Sequence, residues 1–175
     1  MICAGRRPSY VLDMTTSVNP PHLYDQDFHA WARDQASVLR REAARRVNTP
    51  LDLENLAEEI EALAKRDRRA LLRRTTRIIE HLLKLRHSPA SEPRATWEET
   101  VRVQRLAAHA LLEDSPSLAR ELEAAFDKCW RDGLMLAAAA LARDGVALED
   151  ASTVRIPLDQ VLDMTWLPEA SPGLA

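Results

Sequence analysis

The amino-acid sequence predicts an all-α protein, and three observations indicate this class. Alanine, leucine, arginine and glutamate, which favour helix strongly, dominate the 175 residues. Only 4 residues are glycine, and alternating β-branched and aromatic residues are nearly absent. Apolar residues instead recur at helical spacing in several long stretches. We therefore expect a bundle of four main helices, one of them a long, bent spine helix, with a short C-terminal helix.

The domain organisation predicted from the pattern is simple. Residues 1–21 show no period and are interpreted as a flexible tail, within which either Met1 or Met14 could be the true start. A single helical domain is expected over residues 22–169. Residues 170–175 are expected to be a frayed C-terminus.

The first two helices are separated by Asn48-Thr49-Pro50, because proline disfavours helix at the residue before it. The first is predicted from about Tyr24 to Val47. The second begins near Asp52, a suitable N-cap, and continues to His87, with a bend in the polar run 65–69. Its apolar side chains form one stripe, which makes it the expected spine: Leu53, Leu56, Ile60, Leu63, Leu71, Ile78, Leu82 and Leu85.

The remaining helices follow in order along the chain. A third is predicted over about residues 94–113 and a fourth over about 116–143, which Asp144-Gly145 ends. The fourth is rich in small residues, so a neighbouring helix could approach it closely, either within one chain or in a homo-oligomer. A short helix is predicted between Ile156 and Leu162.

Composition and charge exclude several classes of protein. A net charge of −3 gives no general attraction for nucleic acid. Cys3 lies in the predicted tail and Cys129 at an apolar helix position, so we expect no disulfide framework, which fits the reducing cytoplasm, where we expect the protein. No apolar run approaches the roughly 20 residues that span a bilayer, so we expect no membrane association.

Several stretches together resemble one family. They are Leu23-Tyr24-Asp25, Asp27-Phe28 with Trp31, residues 51–61, His81-Leu82-Leu83-Lys84, Trp97-Glu98-Glu99-Thr100 with Gln104-Arg105, Asp114-Ser115-Pro116-Ser117-Leu118, residues 158–162 and residues 167–169. From Leu23 to about Glu169 the chain resembles the bacterial family called domain of unknown function 29. The resemblance implies an all-helical fold and supplies no activity or catalytic set. His29 and His87 depart from the family pattern, so neither is expected to carry a family-wide function.

Motifs that would indicate a common enzyme class are absent from the sequence. It contains no glycine-rich phosphate loop, Cys-x-x-Cys pair, His-Glu-x-x-His, nucleophile elbow or Glu-x-x-His. We therefore predict neither a metal nor a cofactor.

The apolar side of the second helix also contains polar residues. Asp67, Arg74 and His81 lie on or beside it, and Gln104 projects near the centre of the third helix's apolar face. Buried charges must be paired and hydrogen-bonded, so a structural polar network is the favoured interpretation. A ligand or metal site remains the alternative.

Two other sets of residues on the second helix could bear function. Glu58, Glu59 and His81 could form the polar site of an unrecognised enzyme, although a straight helix would separate Glu59 from His81 by about 33 Å. A stripe of cations could bind phosphates, although no aromatic residues alternate with them and a solvated or salt-bridged face is favoured. The stripe consists of Arg66, Arg69, Arg73, Arg77 and Lys84.

The functional hypothesis that the sequence favours is a small interaction or regulatory module that acts through a partner protein chain. It rests on the missing catalytic motifs and on the long amphipathic helix. The enzyme is the first alternative, and nucleic-acid binding is a weaker one.

Overall fold

The computed structural model describes residues 22–45, 48–148 and 155–170, and confirms the all-α class. The predicted tail, Cys3 and residues 171–175 lie outside the described residues. Within the described ranges the helices are α1 (Leu23–Gln26), α2 (Phe28–Ala44), α3 (Leu53–His87), α4 (Arg94–Asp114), α5 (Leu118–Arg143) and α6 (Leu158–Leu162). None of these is long and apolar enough to cross a membrane.

The long helix α3 is the spine on which α2, α4 and α5 pack. Its predicted start is confirmed, because the Asp52 carboxylate accepts a hydrogen bond from the Asn55 backbone N–H at 3.2 Å. The Asn55 amide also donates to the same carboxylate at 2.6 Å. Helix continues through residues 65–69, and the bend expected there stays a prediction.

Burial differs between the two halves of α3. Every residue from Ile78 to Leu83 is buried, because α4 and α5 both cover this half. In the first half Ala57 and Ala64 are buried, whereas Leu56 and Leu63 are 40% and 37% exposed. The residues of the predicted apolar stripe therefore belong to the core mainly in the second half of α3, where α4 and α5 flank the helix.

The predicted first helix is two helices, α1 and α2, separated at Asp27. This residue has extended backbone angles (φ −158°, ψ 86°), and its carboxylate accepts a hydrogen bond from the Ala30 N–H at 2.8 Å. Asp27 thus acts as the N-cap of α2. The residues before it form one separate turn, whose Tyr24 ring packs edge-on against Phe28 and Trp31.

Helix α5 approaches α3 closely at Gly133. A Cβ atom placed there would lie 2.9 Å from the Ile79 Cβ atom and 3.0 Å from the Thr76 carbonyl oxygen. Glycine costs about 1 kcal/mol of helix propensity, so its presence here reflects the close approach. The small residues around Gly133 and Ala137 therefore serve packing within one chain.

Replacing Gly133 with alanine should lower the free energy of unfolding by about 1–3 kcal/mol, despite alanine's better helix propensity. The Ile79 Cβ atom cannot rotate away, so α3 and α5 must move apart. Urea unfolding followed by circular dichroism measures the change. A variant as stable as the wild type would show that the two helices can separate at little cost.

Candidate functional site

A groove of about 750 Å³ lies between α3 and α5, and we call it the α3/α5 groove. Its centre is apolar and its edges carry cations. The apolar lining residues are Leu72, Ala125, Cys129, Met135 and Leu136. The charged ones are Arg68, Arg69, Arg73, Arg77, Lys128 and Asp132.

The floor of the groove contains the buried Cys129 thiol. The Cys129 Sγ atom donates to the Leu72 carbonyl oxygen at 3.6 Å. Burial raises the pKa of this thiol above its usual range, so it stays protonated at neutral pH. A protonated, buried thiol is a poor nucleophile, and Cys129 contributes to the floor as a small apolar side chain.

The cations of the groove differ in how they are neutralised. Arg68 donates from Nε to Glu121 at 2.9 Å, and this hydrogen bond is the main reason that the Glu121 pKa lies below its usual range. Arg77 pairs with Glu80 at 2.8 Å, and Lys128 pairs with Asp132. Arg69 donates to the Lys65 carbonyl oxygen at 3.0 Å and has no carboxylate partner in the described ranges. The Arg73 side chain has no ion-pair partner among residues 22–45, 48–148 and 155–170, so Arg69 and Arg73 are the cations available to an anionic ligand.

The basic stripe predicted from the sequence divides into two groups. Arg69, Arg73 and Arg77 line the α3/α5 groove. Arg66 pairs with the neighbouring Asp67 at 3.1 Å. Lys84 points toward α4, where its Nζ atom lies 5.0 Å from the centre of the Trp97 ring and 3.4 Å from Glu80.

The predicted buried polar residues also divide. Arg74 donates from Nη1 to the Gln104 side-chain oxygen at 3.0 Å, which links α3 to α4. Asp67 pairs with Arg66 instead. His81 is 4% exposed, and neither ring nitrogen has a hydrogen-bond partner among the residues that the structure describes. Burial lowers the pKa of His81 to about 4, with Lys84 as a second cause, so this imidazole is neutral at pH 7.

Glu58, Glu59 and His81 are not brought together within the chain. Both glutamates are exposed near the start of α3, whereas His81 is buried near its end. Glu59 and His81 are 22 positions apart, which corresponds to about 33 Å along a continuous helix. No group of three or more His, Cys, Asp or Glu side chains in the described part of the chain could hold a metal ion.

Comparison with known proteins gives a family and one solved structure. The sequence pattern of the family described as domain of unknown function DUF29 matches residues 23–167. The chain belongs to the DUF29 family. It is also similar to the crystal structure of an α-helical protein of unknown function from Rhodospirillum rubrum ATCC 11170, with 27% identity and a TM-score of 0.68 over 81% of this chain and 90% of that one. No curated protein matches the chain.

In this DUF29 protein, two stretches that carry the family resemblance meet in space. The Asp27 carboxylate accepts hydrogen bonds from the Ser117 N–H at 2.7 Å and from the Ser117 hydroxyl at 2.8 Å. In return, the Ser115 hydroxyl accepts a hydrogen bond from the His29 N–H at 3.0 Å. The starts of α2 and α5 are therefore capped reciprocally across 90 residues of sequence. These residues have a structural role at the junction of three helices.

A second DUF29 motif residue, Arg105, is the largest fully buried side chain described. It donates to three backbone carbonyl oxygens, of Gln160 at 2.9 Å, Val161 at 2.8 Å and Trp166 at 2.7 Å. His109 lies 2.9 Å from the Leu162 carbonyl oxygen. Arg105 thus attaches α6 to α4. Sequence reasoning singled out its neighbour Gln104 and missed this role, although the position of Arg105 within the motif pointed to it.

Proposed function

We propose that this DUF29 protein is a protein-interaction module whose α3/α5 groove binds an acidic amphipathic helix of a partner protein. The observation that carries the proposal is the combination of an apolar floor with cations that lack carboxylate partners. An amphipathic helix places apolar side chains in such a groove and its charges along the edges. Opposite charges at the edges then set orientation and specificity.

The dimensions of the groove support a helical ligand. On α3 its lining extends from Arg68 to Arg77, about 14 Å along the helix axis. This is the length of two to three helical turns, enough for apolar side chains at positions i, i+3 or i+4, and i+7. The exposed Met135 and Leu136 add apolar surface on the α5 side.

The lining residues favour a protein ligand over nucleic acid. None of the residues that line the groove is aromatic, and single strands are usually held by bases stacked on aromatic rings. Arg77 and Lys128 already have carboxylate partners, which leaves a short series of cations for a phosphate backbone. We also propose a cytoplasmic location, since Cys129 is a free, buried thiol, as is usual in a reducing compartment.

Reversing the two free cations should weaken binding of an acidic amphipathic peptide about tenfold or more, which corresponds to about 1.4 kcal/mol. The variant is Arg69→Glu with Arg73→Glu, and fluorescence anisotropy of a labelled peptide measures affinity. Arg120→Glu with Arg131→Glu is the matched control, because these exposed arginines of α5 do not line the groove.

Two further probes complete this experiment. The same peptide with its glutamates changed to lysine should bind weakly, and so should a duplex oligonucleotide. Tight binding of the oligonucleotide that depends on Arg69 and Arg73 would support the nucleic-acid alternative and overturn the proposal. Equal affinity of the wild type and the groove variant for the acidic peptide would also overturn it.

A further inference from the structure

One exposed side of α3 has opposite charges in its two halves. At 100° per residue, Glu58, Ala62, Arg69 and Arg73 fall within about 60° of one another around the helix, with Glu54 and Arg77 at the two edges of this side. All six residues are exposed, and the three arginines line the α3/α5 groove. In the described residues, neither Glu54 nor Glu58 has an ion-pair partner. This side of α3 is thus acidic first and basic second, with the charges spaced by one helical turn.

This arrangement is complementary to itself in the antiparallel direction. Two copies of α3 related by a two-fold axis midway between Lys65 and Arg66 would place Glu58 of each copy opposite Arg73 of the other. The same axis places Ala62 opposite Arg69, whereas Glu54 and Arg77 lie at opposite edges of the contact, and Arg77 is already paired with Glu80. Isologous contacts of this kind form closed dimers and repeat every contact twice.

We infer that the acidic helix bound in the α3/α5 groove is the first half of α3 from a second copy of this chain. The inference rests on the proposed function of the groove and names its ligand. Each copy would then supply both a groove and an occupant. Glu58, a residue of the alternative catalytic site, would form an ion pair with Arg73 of the second copy.

Charges at the centre of this pairing are already neutralised within each copy. Lys65 pairs with Glu61 at 3.1 Å, and Arg66 pairs with Asp67 at 3.1 Å. Like charges that meet at the two-fold axis therefore have carboxylates beside them, which limits their mutual repulsion. Glu58 and Arg73 have no ion-pair partner among the described residues of one copy, and the second copy would pair them with each other.

Exposed apolar side chains of the two copies lie level with each other at both ends of the paired helices. Leu51, just before α3, is 59% exposed, and Met135 and Leu136 on the α5 edge of the groove are 65% and 43% exposed. The same register brings Leu51 of one copy level with the part of the groove where the other copy's Met135 and Leu136 lie. Burial of these side chains would add a hydrophobic contribution to the charge pairs.

A charge exchange between two variants tests the inference. Glu58→Arg gives a chain with arginine at both positions 58 and 73, and Arg73→Glu gives a chain with glutamate at both. Each variant alone should dimerise at least about tenfold more weakly than the wild type, whereas an equimolar mixture should form a 1:1 heterodimer. Sedimentation velocity measures the association, and circular dichroism shows that each variant remains folded.

The outcomes separate this inference from the proposed function. Restored dimerisation in the mixture, and in the double variant Glu58→Arg with Arg73→Glu, supports antiparallel pairing. A wild type that stays monomeric, or dimers that both single variants leave unchanged, overturns it. If the monomeric wild type still binds the acidic peptide through Arg69 and Arg73, the proposed function stands without the second copy. If the peptide fails to bind as well, both are wrong.

Discussion

Replacement of Arg105 by methionine is expected to lower the free energy of unfolding by about 3–5 kcal/mol. Arg105 is 2% exposed, and its guanidinium group donates to the carbonyl oxygens of Gln160, Val161 and Trp166. Two of these belong to the last turn of α6, whose carbonyl groups have no partners within the helix. Methionine fills a similar volume but removes the Arg105 donor from all three oxygens, and only the Gln160 oxygen keeps another donor among the described residues, the Asp163 N–H at 3.3 Å.

The effect should be greatest in the segment that Arg105 holds. Hydrogen exchange should become faster in α6 and through Trp166, while the amides of α3 near Ile78 stay protected until the whole chain unfolds. Arg105→Lys is the informative companion variant, because it keeps the charge but cannot donate in three separate directions. We expect the free energy of unfolding of Arg105→Lys to lie between those of Arg105→Met and the wild type. A methionine variant within about 0.5 kcal/mol of the wild type would show that water replaces the guanidinium group at this position.

Acidification should destabilise the protein through His81. Its pKa is about 4 in the folded chain and about 6.5 when exposed, so the unfolded chain binds a proton that the folded chain excludes. The contribution of neutral His81 is fully present above pH 6.5 and is lost as the pH falls from 6.5 to about 4. The slope approaches about 1.4 kcal/mol per pH unit, which gives a total of up to about 3 kcal/mol.

Replacing His81 with leucine isolates this contribution. Within the described part of the chain the ring nitrogens have no hydrogen-bond partners, so an apolar side chain of similar size should preserve stability at pH 7. Urea unfolding at several pH values should give a flatter profile between pH 6.5 and 4 for the variant. The free energy of unfolding of the variant will still depend on pH to some extent, because burial also lowers the pKa of His87. Parallel profiles for the variant and the wild type would mean that His81 is hydrated in solution.

The sequence predicted helix ends correctly where they depend on interactions between residues close in sequence. The start of α3 follows from the Asp52 side chain and the N–H group three residues later, and the end of α5 follows from Gly145, whose φ of +76° suits glycine. The break at Asp27 was missed, because the carboxylate that caps α2 also binds Ser117, 90 residues away. Local propensity carries no information about such a partner.

The candidate site shows the same division. Helical spacing placed Arg69, Arg73 and Arg77 on one side of α3, and they remain together in the structure. Their role as the edge of a groove depends on α5, whose position is set by the contact between Gly133 and Ile79. Arg66 and Lys84 follow the same helical spacing but do not line the groove. Arg66 pairs with Asp67, and Lys84 contacts Trp97 and Glu80.

By itself, the sequence determined the helical class, the long spine and the charges along it, because composition, caps and periodicity act over a few residues. Only the tertiary structure decided which half of α3 is buried and which cations face the α3/α5 groove. It also decided that Arg105 holds the end of the chain. These features depend on contacts between residues far apart in sequence, whose geometry is fixed when α2, α4 and α5 pack on α3.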